Sequence, residues 1–153
     1  MKGVFGLQSA PDLLRKLEAD HARVHADPVD PFAAYDLVVT AWHLLEWVLP
    51  GRANTAARES LCLANPLLRV CEHLAVGAKH FEPTAKRHTS VAGDHVGGVW
   101  RKYVWAPNTW AKGAWAEWIT IRLDGVTEAA LGKEITILQL ADQMLAFWKR
   151  ELS

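Results

Sequence analysis

Two stripes of polar side chains have the residue types and spacing to do chemistry. Asp36, Thr40, His43 and Trp47 recur along "YDLVVTAWHLLEWV", and Arg69, His73, Val76 and His80 recur along "LRVCEHLAVGAKHF", with Lys79 beside the last histidine. Residues three, four or seven apart share one face of a helix, so each set reads as a stripe. If the two helices lie side by side, the stripes meet in a cleft. Imidazoles change protonation near neutral pH and can move protons, while guanidinium and ammonium groups can hold a phosphate. In this reading His80 and His73 transfer protons, Arg69 and Lys79 bind phosphate, and Asp36, Thr40 and His43 form a supporting polar face. The same residues also fit a plainer role, as the wet side of two helices flanking an apolar core.

Metal chemistry is the other use for such side chains. His21 and His25 stand one helical turn apart with Glu18 on the same face, a spacing that can bind metal. His43 to Glu46 and Glu72-His73 add further nitrogen and oxygen donors. The two Glu-x-x-His motifs that a di-iron bundle needs are not both present. A lone histidine pair is ordinary on a solvated helix. The sequence therefore predicts no bound metal and no other cofactor.

The elements that must position these groups are mostly helices. Ser9 and Asp12 form a capping start for a first helix with the stripe Leu13, Leu14, Leu17 and Val24. Asp30-Pro31 opens a second, with Leu37, Val38, Ala41, Leu44, Leu45 and Val48 facing inward, and Pro50-Gly51 ends it. Asn54 reads as the cap of a short helix to about Leu63. Asn65-Pro66 starts the third main helix, with Leu67, Cys71, Leu74 and Ala78 turned inward and Gly77 allowing a neighbouring helix close. Thr84 to Gly98 is polar and glycine-bearing and reads as a loop. "VWRKYVW" and "EWITIRL" read as strands, with Asp124-Gly125 as a turn after the second. Thr136 and Gln139 form a capping box for a last helix whose inner face is Ile137, Leu140, Ala141, Met144 and Trp148. The predicted fold is mainly α, a single domain over residues 1–153. It is an antiparallel helical bundle with a small aromatic-rich β-element, at about 99–126, before the C-terminal helix.

Bulk properties narrow the function classes. Seventeen basic and seventeen acidic residues balance, which argues against a broad nucleic-acid- or membrane-binding field. No apolar run reaches the length of a membrane span, and the start "MKGVFGLQSAPD" is too weakly apolar for a signal peptide. Cys62 and Cys71, apart and in apolar surroundings, read as reduced thiols of a cytoplasmic protein. Eight tryptophans are many for one small core and point to a homodimer. Trp100, Trp105, Trp110, Trp115 and Trp118 crowd around Arg101 and Lys102. That mixture fits either a stacking platform for single-stranded nucleic acid or a covered apolar end.

The two helical segments, followed by a short β-element and the closing "QLADQMLAFWKREL", resemble the HEPN-like helical-bundle proteins of bacterial defence and toxin–antitoxin systems. The resemblance implies an up-and-down helical bundle that dimerises. In active members it implies a metal-independent ribonuclease with an arginine, a short spacer and a histidine on the third helix. Lys79-His80 match the closing pair of that motif. Arg69 lies four positions before His73 and eleven before His80, so the signature arginine is displaced. Two functions follow. One is a HEPN-like protein that binds RNA or retains weak ribonuclease activity, with RNA or an antitoxin-like protein as partner. The other is a non-enzymatic helical module for oligomerisation or protein binding.

Overall fold

The computed structural model describes residues 5–79, 90–100 and 115–153. It is mainly helical, with a small antiparallel sheet ahead of the C-terminal helix. Local capping chemistry sets most helix starts. In α1 (Ala10–Ala26) the Ser9 hydroxyl accepts from the Asp12 amide, and Pro11 sits in the first turn where it costs no hydrogen bond. In α2 (Pro31–Val48) Asp30 Oδ1 accepts from the Phe32 amide at 2.8 Å. In α4 (Pro66–Lys79) Asn65 Oδ1 accepts from Leu67 at 3.0 Å. The capping box of α6 (Ile137–Glu151) forms in both directions between Thr136 and Gln139.

Four local expectations are corrected. Asn54 stands at the N-cap position of α3 (Thr55–Ala64) but its side chain makes no cap bond; its Nδ2 donates back to the Pro50 carbonyl at 2.7 Å, over the short 3-10 turn Arg52–Asn54. Asp124-Gly125, expected as a turn, opens a helix instead. Asp124 is the N-cap of α5 (Gly125–Leu131), its carboxylate accepting from the Gly125 amide at 2.7 Å. On α4 the buried stripe is Leu68, Val70, Cys71 and Ala75, while Leu67 and Leu74 are half-buried. Two apolar stripes of this helix pass through Cys71, and packing against α2, α3 and α5 together selects the other one.

The fourth correction concerns the start of the sheet. The stretch read as loop up to Gly98 is strand from Val91, because β1 (Val91–Trp100) pairs along β2 (Trp115–Leu123). Three glycines and Asp94 make β1 a poor strand by propensity, and cross-strand pairing overrides that weak preference. A bulge lies between Val91 and Gly93, where Gly93 adopts φ +151°, and a Cβ there would sit 3.0 Å from the Arg122 guanidinium. The short β3 (Glu134–Thr136) pairs on the far edge of β2, giving the order β1-β2-β3, and runs straight into α6.

The core is continuous from helices to sheet. Leu17, Leu37, Leu44, Leu45, Leu140 and Met144 are fully buried, and Ile119, Ile121, Leu123 and Ile135 bring the sheet onto them. The inner face expected for α6 is buried throughout, with Phe147 added. Trp148 is completely buried, and its indole N–H donates to the Ala41 carbonyl at 2.9 Å, tying α6 to α2. Trp42, Trp47 and Trp118 are half-buried. The side chains of Trp100 and Trp115, and all of Trp105 and Trp110, lie outside the description. Among the described residues no single helix is long and apolar enough to cross a membrane.

Candidate functional site

The polar stripe of α2 turns toward α1. Asp36 Oδ2 is ion-paired with Arg23 Nη1 at 2.5 Å. Thr40 is buried; its hydroxyl donates to Asp20 Oδ2 at 2.6 Å and accepts from Lys16 Nζ at 2.7 Å. Lys16 also reaches Asp20 Oδ2 at 2.6 Å, so the buried Asp20 carboxylate collects two short hydrogen bonds and the more distant Arg23 at 3.8 Å. A carboxylate withdrawn from water is tolerated only with such partners. The network fastens α1 to α2. His43, three residues beyond Thr40, is exposed.

His73 on α4 faces the sheet. Its Nδ1 accepts from the backbone amides of Ser90 and Val91 at 3.2 and 3.1 Å, which fixes the start of β1. Accepting at Nδ1 requires that nitrogen to be unprotonated, so the neutral ring carries its proton on Nε2. Arg69 is half-buried on the same helix. Lys79 is the last residue of α4, its side chain undescribed, and His80 lies outside the described residues. The expected meeting of two polar stripes therefore does not occur at Asp36, Thr40 and His73. The first two bond to α1 and the third to β1.

An apolar cleft of 520 Å³ lies where the polar one is expected, between α2, α4 and the sheet. Pro31, Ala34 and Val38 line it from α2, Leu74 and Gly77 from α4, and Ile119 and Ile121 from β2, with Tyr35, His73 and Asp94 as its polar groups. Gly77 thus opens onto the cleft. Next to it on α2, Phe32 is 75% exposed and Tyr35 48%. Clefts of this size with an apolar lining and few polar groups are the usual form of a binding site.

A second cluster joins α1 to α6. His21 Nε2 and His25 Nε2 lie 2.7 and 2.8 Å from the same oxygen, Oδ1 of Asp142. The two rings are 4.4 Å apart. Partial burial pushes the Asp142 carboxyl up, but the hydrogen bonds from His21 and His25 outweigh it and hold the group below the ordinary carboxylate range. Glu18, predicted to share this face, pairs instead with Lys149 at 2.8 Å, a second tie between the same helices. The helical spacing of the histidines is readable from sequence. Asp142 gives no such signal, because only packing brings α6 beside α1.

The cysteines are both buried thiols. Cys62 Sγ donates to Glu72 Oε2 at 3.2 Å. Burial pushes the Cys71 thiol up to about 12, with Cys62 nearby adding to the effect, which leaves it an inert thiol. Comparison of the chain with protein families, characterised proteins and solved structures gives no match.

Proposed function

We propose that the chain is a non-enzymatic binding module, built as an antiparallel helical bundle of HEPN-like descent, that associates with a second copy of itself through the α2–α4 cleft. The observation carrying this reading is the cleft itself: an apolar hollow with an exposed phenylalanine next to it. Phe32 stands one residue from Pro31 and one helical turn from Tyr35, both of which line the hollow. A patch that contains both a knob and a hole can satisfy itself across a two-fold axis, since each copy offers its knob to the other's hole. Aromatic anchors seated in pockets are the usual centres of such interfaces.

The bonding of Asp36, Thr40 and His73 supports a non-enzymatic role, because each is engaged in holding the fold. Ribonuclease chemistry would then fall to Arg69, Lys79 and His80 alone. Light scattering on the full chain tests the association directly. Wild type is expected at twice the 17.0 kDa chain mass at micromolar concentration, and Phe32→Asp at the monomer mass. A monomeric wild type overturns the reading. A panel of RNAs incubated without metal is expected to stay intact, and cleavage that His80→Ala abolishes would restore the enzymatic alternative.

A further inference from the structure

We propose that His21, His25 and Asp142 form a binding site for a divalent transition-metal cation of the zinc type, clasping α1 to α6. This departs from the sequence-based expectation of no metal, and it is independent of the self-association reading.

Two imidazole nitrogens and one carboxylate oxygen are a donor set that such cations accept in open sites, where solvent fills the remaining position. The geometry is close to what a metal needs. The three ligand atoms all lie within 4.8 Å of one another. Zinc bonds of about 2.0 Å in a tetrahedral arrangement place ligand atoms roughly 3.3 Å apart. The present 2.7 and 2.8 Å contacts are therefore too short by about half an ångström. The imidazole nitrogens need only modest side-chain rotation to close on a shared ion. Both rings present Nε2, so neither has to flip.

The backbone beneath is fixed. Leu17 and Val24 on α1 and Ala141 and Met144 on α6 are all buried, and the Glu18–Lys149 pair ties the same seam. Preorganised ligands lose little freedom on binding. Asp142 is 56% exposed and His25 41% at their side chains, so a cation can reach the site and solvent can complete its coordination.

The proton balance is simple. Without metal, each neutral ring keeps its proton on Nε2 and donates that N–H to Asp142 Oδ1 as a hydrogen bond. With metal, each Nε2 lone pair goes to the cation, so a neutral ring must carry its proton on Nδ1. A doubly protonated ring releases one proton to solvent. No oxidant or reductant takes part.

The test uses the full chain with any affinity tag removed, titrated with zinc chloride in competition with a colorimetric chelator. One zinc per chain is expected at this site, with affinity in the micromolar range or tighter. His21→Gln and His25→Gln should each weaken binding at least tenfold. Asp142→Asn is the discriminating variant, since an amide oxygen still accepts hydrogen bonds from the imidazoles but is a poor metal ligand. It should retain the wild-type circular dichroism spectrum and lose the zinc-dependent rise in thermal midpoint. His43→Gln and His95→Gln, exposed histidines elsewhere, should change nothing. Nitrogen chemical shifts should move both rings of the triad to the Nδ1–H tautomer on zinc addition. Equal zinc affinity in wild type and in Asp142→Asn overturns the proposal, as does a wild type that fails to bind zinc below millimolar concentration.

Discussion

Removing the Thr40 hydroxyl tests whether the α2 polar stripe holds the fold together. Thr40→Val keeps the side-chain shape at a position only 3% exposed. Asp20 then loses a 2.6 Å donor to a buried carboxylate, a loss of about 1.5–3 kcal/mol. The methyl that replaces the hydroxyl returns about 0.8 kcal/mol of apolar burial. The net expectation is destabilisation by roughly 1–2 kcal/mol. Asp20→Ala leaves the Thr40 hydroxyl proton without its acceptor and the Lys16 ammonium with the Thr40 oxygen alone. Breaking a fully buried charge pair costs about 3–5 kcal/mol. Lys16 is 39% exposed and can rehydrate, so about 2–3 kcal/mol is the better expectation here. The double variant should lose less than the sum, with a coupling of about 1–2 kcal/mol. Urea unfolding reads these values as lowered midpoints at constant slope. The reasoning is refuted if both single variants stay within about 0.5 kcal/mol of wild type, the behaviour of an ordinary surface position.

Three further predictions follow from the same geometry. In a Cys62→Ser background the Cys71 thiol should ignore aromatic disulfide reagents at pH 8 until the chain unfolds. Its folded pKa is raised from the ordinary 9.0 to about 12, so its stabilising contribution is complete below pH 9 and disappears as pH climbs through about 12. Rapid native labelling would contradict this. Thr136→Ala should lower stability by about 1 kcal/mol through loss of the α6 capping box, and an unchanged urea midpoint would deny the box a role. His73→Ala should speed amide hydrogen exchange at Ser90 and Val91 and destabilise by about 1–3 kcal/mol, whereas unaltered exchange would show that the imidazole does not seat β1.

What could be read from sequence was local. Ser9, Asp30, Asn65 and Thr136 announce their helices because a cap and its amides lie within three residues of one another. The inner face of α6 is legible because its apolar residues keep strict helical spacing, and that of α2 is legible up to Val48, which is half-buried. Asp36 and Thr40 were visible as a stripe, but helical periodicity does not say which neighbour a stripe meets, and α1 supplies the matching Lys16, Asp20 and Arg23. Glycine-rich β1 was hidden for the opposite reason. Its strand state depends on pairing with β2, with His95 opposite Thr120 and Val96 opposite Ile119, rather than on its own residues. Asp142 lies more than a hundred positions from His25, and no local pattern links them.

Self-association through the cleft is tested most directly by an isotope-filtered NOE measurement on a one-to-one mixture of methyl-labelled and unlabelled chains. The account predicts contacts from the Phe32 ring of one copy to the methyl groups of Ala34 and Leu74 in the other, absent from the Phe32→Asp variant. A mixture with dimeric mass but no intermolecular contact at these methyls would contradict it.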